Sequence, residues 1–215
     1  MAGKQQLDMP PVPNLGTSGV SYSQEVQNQN NGALRTFFIK LVNAVQAITS
    51  RMGGKYINFP YGAFQSLVDQ SVASTTTAYA ITLDTTDFSN GVTLSNSSRI
   101  NVVNTGLYNL QWSGQFNNTD TQIHDVNVWL RKNGTDITGS TGVISVPNSH
   151  GGVDGHIIVG WNYFIQLAEN DYVELYWQSS STQITLQHYE AQTSPTRPST
   201  ASLIVTMSFV SNLPT

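Results

Sequence analysis

No cysteine occurs in the 215 residues. That excludes a disulfide framework and a thiolate zinc site. Charge is scarce as well: Asp, Glu, Lys and Arg make up 10 % of the chain, against roughly 25 % in an average soluble protein. The nine Lys and Arg residues are scattered, and the net charge is −4. No electrostatic footprint for nucleic acid results. No run approaches the ~18 consecutive apolar residues of a membrane span, so no membrane insertion is expected. The N-terminal MAGKQQLDMPPVPNLG has no apolar core for a signal peptide, which predicts assembly in a cytosol. The N-x-S/T sequons at Asn96, Asn117 and Asn133 then read as chance matches in a Ser/Thr-rich chain.

Catalytic motifs are missing too. There is no phosphate loop, nucleophile elbow, zinc-protease helix or dinucleotide turn. The carboxylates fall singly in predicted turns: Asp84 and Asp87, Asp120 and Asp125, Glu169 and Asp171. A glycosidase needs two of them at a set separation in a cleft. No enzyme and no cofactor is expected. The one metal-like cluster is His150, Asp154 and His156 in HGGVDGH. Asp154 and His156 are two apart, so on a strand they share a face and could meet symmetry mates on an axis. The alternative is a solvated Gly-rich loop. His124 and His188 read as ordinary surface or strand residues.

What is present is period-two alternation. In NTGLYNLQWSGQF (104–116), Tyr108, Leu110, Trp112 and Phe116 fall on one face and Asn109, Gln111, Ser113 and Gln115 on the other. This marks a half-buried strand with those four apolar residues in the core. The pattern recurs toward the C-terminus. It predicts strands at 77–83, 91–95, 98–103, 106–116, 124–132, 141–145, 155–167, 172–179, 183–189 and 201–210. Asn133-Gly134 is a two-residue hairpin signal. So many short strands, with turns every 8 to 12 residues, predict a mainly β, antiparallel jelly-roll sandwich over 75–215.

Three segments precede it. Residues 1–30 are rich in Pro, Gln and Asn, and read either as a floppy tail or as an arm that orders against a partner. Residues 31–52 predict a helix capped by Asn30 or Asn31 and stopped by Gly53-Gly54. Its Leu34, Phe38, Leu41, Val45, Ile48 and Met52 are spaced four, three, four, three, four, which is a heptad seam. Burying six such side chains yields ~10 kcal/mol gross, mostly cancelled by chain entropy. The helix is therefore either an oligomer neck held together elsewhere or an amphipathic helix on its own β domain. Residues 53–74, with Tyr56, Phe59, Pro60, Tyr61 and Phe64, read as a linker.

Four segments in one order carry a family resemblance: INVVNTGLYNLQWSGQ (100–115), VNVWLRKNGTDI (126–137), FIQLAENDYVEL (164–175) and a last strand ending Met207-Ser208-Phe209-Val210. Over about 140 residues this resembles the trimeric jelly roll of the tumour necrosis factor and complement globular-head superfamily, as carried by bacteriophage virion proteins on an N-terminal arm. Asn170 stands where the family usually has Gly. The resemblance implies a homotrimer with a hydrophobic three-fold axis. It further implies a phage virion structural protein, joined to other virion proteins through residues 1–30 and serving as a fibre or spike tip that attaches to a host surface glycan or protein. A capsid decoration protein is the runner-up. A free carbohydrate-binding module is the rival, for which Trp129 or Trp161 would supply the aromatic platform. Segments 146–155 and 190–200 are the expected binding loops.

Overall fold

A computed structural model describes residues 10–17, 19, 21–49 and 59–213. The chain divides into two units, Met1–Asn58 and Phe59–Thr215.

In the first unit, helix α1 spans Gln24–Thr49. It starts seven residues before the predicted 31, so the predicted arm 1–30 gives up its last turns to the helix. The N-terminal contacts come from Ser23, not Asn30 or Asn31. The Ser23 hydroxyl accepts from the Val26 N–H at 3.4 Å, which satisfies one of the orphan donors of a helix start, and the Ser23 carbonyl accepts the first intrahelical bond from the Gln27 N–H at 3.1 Å. Asn30 lies inside the helix instead. Its amide both accepts from the Gly16 N–H and donates to the Gly16 carbonyl, each at 2.9 Å. The preceding segment is thereby tied back against the helix.

The second unit is an antiparallel β sandwich of jelly-roll type with two larger sheets. The first contains β1 (Tyr61–Ser66), β2 (Gln70–Ser71), β4 (Thr85–Asn90), β7 (Gly106–Asn118), β11 (Gly155–Leu167), β13 (Ile184–Leu186) and β16 (Leu203–Ser211). β7 is its centre. β11 lies along the whole of one edge, from Leu167↔Gly106 to Gly155↔Asn118. β16 and then β13 share the other edge. The second sheet runs β10 (Gly142–Val146), β8 (His124–Lys132), β12 (Tyr172–Ser179), β6 (Arg99–Val102), β5 (Val92–Ser95), with β3 (Tyr79–Ala80) and β9 (Thr135–Asp136) attached. The chain passes between the two sheets repeatedly, among other places at β6–β7, β7–β8, β10–β11, β11–β12 and β12–β13. A small hairpin, β14 (Gln192–Thr193) and β15 (Thr196–Arg197), stands apart.

The core fills from both inner faces. Tyr108, Leu110, Trp112 and Phe116 of β7 are buried, facing Val126, Val128 and Leu130 of β8 and Val173, Leu175 and Trp177 of β12. Phe116 and Trp177 meet at 6.0 Å between ring centroids. Turn chemistry follows local need. Asn133 and Gly134 take φ of +50° and +80°, which a two-residue hairpin demands. Asn170 takes +68°, the left-handed conformation that Asn tolerates where Gly would be easiest.

The β unit begins earlier than predicted. Residues 59–74 of the supposed linker supply β1, which pairs with β4 and β16. Gly62 is what lets β1 in, because a Cβ there would lie 2.6 Å from the buried Phe64 ring. β4 had no predicted counterpart. The predicted strand 77–83 shrinks to Tyr79–Ala80.

Candidate functional site

Three surfaces are candidates. The first is the stripe along α1. Leu34 and Leu41 are half-buried, whereas Phe38, Val45 and Ile48 of the same seam are exposed, as are Ile39 and Val42 beside it. Phe38 alone is 55 % exposed. Ala44 is the one fully buried residue of the helix, among those described. The sixth seam residue, Met52, lies outside the described residues, as do Gly53, Gly54 and Tyr56.

The second is the outward face of the first sheet. Alternation that sends Ile165 and Leu167 inward sends Ile158 and Phe164 of β11 out, 69 % and 56 % exposed. On the other side of β7, Ile204 and Val210 of β16 are also open. Between them run the neutral outward residues of β7: Asn109, Gln111, Ser113 and Gln115. No charged side chain occupies the outward positions of β7 or of β16 (Ile204, Thr206, Ser208, Val210). The Asn109 and Asn117 side-chain oxygens are buried with no hydrogen bond among the described residues, a cost that native proteins rarely leave standing.

The third is a recess of about 460 Å³ at one end of that face, lined by Gln115, His156, Ile157, Ile158, Tyr189, Arg197 and Thr200. It lies where His156 and Tyr189, the residues that flank the two predicted binding loops, meet. Loop 147–154 folds tightly: a Cβ on Gly155 would lie 1.9 Å from the Pro147 carbonyl oxygen. Ser149 pins the loop, donating its N–H to Asp120 O at 2.7 Å. From the other loop, Tyr189 pairs with Thr200 and brings its hydroxyl to 3.4 Å from His156 Nδ1. The Arg197 guanidinium sits 5.7 Å from the Tyr189 ring centroid. Burial raises the Tyr189 phenol above its ordinary range, and the Asp154 and Asp69 carboxylates raise it further, against an opposing pull from Arg197. The phenol therefore stays neutral.

Within one copy the three proposed metal residues have separate partners. His150 turns back on Val153 through backbone hydrogen bonds, around Gly151 and Gly152 at φ +62° and +82°. Asp154 accepts from Asn117 Nδ2 at 3.3 Å, and His156 faces Tyr189. Among the described residues no three His, Asp or Glu side chains cluster as a metal site. The carboxylates serve instead as loop ties. Asp171 holds Lys132 Nζ at 2.7 Å and Asn133 Nδ2 at 2.7 Å. Burial alone would push its carboxyl up, but those donors and the Ala168 N–H outweigh it and hold it below the usual range. Asp120 is held low by His124, 2.8 Å away. His188 Nδ1 lies 2.6 Å from Thr200 O.

Of the two predicted platforms, Trp161 is directed toward the sandwich edge. Its ring occupies the space a Gly142 side chain would take, and it remains 45 % exposed. Trp129 stands on the outer face of the second sheet. Among the described residues, no helix is long and apolar enough to cross a membrane. The chain matches no protein-family model and no curated protein.

Proposed function

We propose that this is a non-enzymatic virion structural protein that works as a homotrimer, with its jelly roll as the head of a bacteriophage fibre or spike. The observation that carries the reading is the outward face of the first sheet. Ile158, Phe164, Ile204 and Val210 stand open there beside neutral amides. Large apolar groups with no charge among them are what a subunit interface buries, and the charged residues that keep monomers apart are missing. The exposed seam of α1 supports the same reading: Phe38, Val45 and Ile48 recur at coiled-coil spacing.

The resemblance to trimeric jelly rolls of phage virions supplies the setting, and the tied-back N-terminal segment is its attachment element. Host contact falls to loops 146–155 and 190–200, a reading supported by the approach of their flanking residues His156 and Tyr189. Within the same class, a capsid decoration protein would use trimer and arm alike but would spare adsorption.

Sedimentation of the 23.5 kDa chain at micromolar concentration tests the core of the proposal. Three copies are expected, and the paired change Ile158→Glu and Ile204→Glu should return a folded monomer. A wild-type monomer overturns the reading. Adsorption assays on loop variants, run beside heat inactivation of particles lacking the protein, then separate fibre from decoration.

A further inference from the structure

The outer face of the second sheet carries a groove that the preceding reading leaves unused. It encloses about 450 Å³, within the range of small-ligand sites. Its floor is two strands. Alternation sends Val126, Val128 and Leu130 of β8 and Leu175 and Trp177 of β12 into the core, so Asn127, Trp129, Tyr176 and Gln178 point outward. Trp129 lies opposite Tyr176, ring centroids 6.1 Å apart, and the Arg131 guanidinium covers Tyr176 at 3.8 Å. The hairpin that begins at Asn133-Gly134 returns as β9 and delivers Asp136 beside Trp129, where its carboxylate accepts from the indole N–H at 2.7 Å. Residues 137–141 then form a wall.

That wall is pinned rather than loose. The buried Ser140 hydroxyl accepts from the Leu130 N–H at 3.0 Å and donates to the Ile137 carbonyl at 2.8 Å. The opposite side is fixed as well. Gln178 donates to Thr75 O at 2.6 Å and Ser179 O at 2.8 Å, and accepts from Asn127 Nδ2 at 2.7 Å. A site on strands with locked side chains has little ordering entropy left to lose when a ligand arrives.

What these groups leave free defines the ligand. Both bonds to Asp136, from Trp129 Nε1 and Arg131 Nε, go to Oδ1. Among the described residues Asp136 Oδ2 and Asn127 Oδ1 make no hydrogen bond, nor do the hydroxyls of Thr138 and Thr141, which also line the groove. The hydrogen bonds of Arg131 and Trp129 hold the Asp136 carboxyl below its ordinary range, so it is an ionised acceptor. The groove thus offers an aromatic side chain with fixed acceptors and neutral hydroxyls around it. No Lys or Arg lines it, and Arg131 beside it is already engaged by Asp136 and Tyr176, so a phosphate, sulfate or carboxylate would meet the Asp136 carboxylate without a free charge partner. A purely apolar ligand would bury the unpaired acceptors at a loss. A sugar ring satisfies both demands, with an apolar C–H face for the indole and vicinal hydroxyls for the carboxylate and amide oxygens.

We infer that the groove around Trp129, with Asp136, Asn127 and Gln178, is a binding site for a neutral saccharide. As a host-contact site it rests on the attachment reading; as a sugar site it does not. The test uses the full chain and the methyl glycosides of glucose, galactose, mannose and N-acetylglucosamine. Saturation-transfer NMR identifies a binder and titration calorimetry measures it. At least one glycoside should bind, Trp129→Ala should weaken it by about tenfold or more, and Tyr189→Ala should leave it unchanged. Thr141→Trp fills the groove from an exposed position, keeps the fold, and should abolish binding. No saturation transfer to any glycoside at about 10 mM, or binding that survives Thr141→Trp, overturns the site. If sugar binds but Thr141→Trp particles adsorb normally, the site stands and its part in attachment falls. If no sugar binds while variants of loops 146–155 and 190–200 lose adsorption, the site falls and attachment stands.

Discussion

Tyr108 tests the core assignment in two separable steps. It is fully buried near the start of β7, its ring edge-on to Phe209 at 5.6 Å, and its hydroxyl donates to the Asn104 carbonyl at 2.8 Å. Tyr108→Phe removes the hydrogen bond alone. The net value of such a bond is ~0.5–1.5 kcal/mol. Asn104 is exposed, so its freed carbonyl turns to water and the loss should sit near the middle of that range. Tyr108→Ala also empties the ring volume, where large-to-small changes cost ~3–5 kcal/mol. Gln111→Ala, on the outward face of the same strand, should stay within ~0.5 kcal/mol. For a unit of this size, 1 kcal/mol shifts Tm by roughly 2–4 °C. The expected order is therefore a shift of a few degrees for Phe, roughly 6–20 °C for Ala, and almost none for Gln111→Ala. Urea unfolding at one fixed protein concentration is the assay, because self-association adds to apparent stability. Burial also raises the Tyr108 phenol above its usual value of 10.0. The folded state then keeps a proton the unfolded state loses, so this stability is full below about pH 10 and is lost as pH rises through the folded value. The alkaline limb of Tm against pH should be shallower in Tyr108→Phe. A Phe variant that loses as much as the Ala variant, or Gln111→Ala that loses as much as either, refutes the assignment.

Other outcomes follow from single contacts. Asp171 is held below its ordinary value, so its contribution is present above about pH 4 and is lost as pH falls through the folded value; the acid limb of Tm should flatten in Asp171→Asn. Gly155→Ala drives a Cβ into the Pro147 backbone, so loop 147–154 must move, and melting should drop by more than in Ser149→Ala. Deleting residues 1–22 spares Ser23 and should leave α1 and the trimer intact by circular dichroism and sedimentation, while the protein no longer joins its particle. Incorporation of that truncation into particles would make the segment a tail without a partner.

How much of this was legible depends on whether alternation survived. β7 and β11 each run 13 residues with one face committed to the core, and period two stands out over that length. β1 reads YGAFQS with three consecutive buried residues, because Gly62 and Ala63 are covered on both sides; no alternation was there to find, and its aromatics looked like a linker. β4, TTDFSN, has no fully buried residue at all, so its strand character comes from pairing with β1 rather than from composition. The helix start hid behind a Gln/Asn-rich run that resembles a disordered arm, although those residues cost a helix only tenths of a kcal/mol each. The sequence singled out loops 146–155 and 190–200 by their Gly and Pro content, but not that Tyr189 and His156 would join them.

The Trp129 groove shows where local reading stops. Asp136 was reachable from sequence, because an Asn-Gly hairpin places Lys132 opposite Thr135 and Arg131 opposite Asp136, one step from the indole. Asn127 opposite Gln178 was not, since that register is set by how β12 returns across the core. A platform residue can thus be named from its type, whereas the acceptors that choose its ligand are assembled by topology. The same topology gives the two outer faces different chemistry. The β7–β11–β16 face carries no charged side chain on its β7 and β16 rows and sets Ile158, Phe164, Ile204 and Val210 among neutral amides and hydroxyls, groups that a subunit interface buries at lower cost than charges. The β8–β12 face is dressed with Arg131, Asp136 and Tyr176, groups that would be costly to bury in a subunit interface. If the first face closes the trimer, the second stays in solvent, and a groove there remains open to a ligand after assembly.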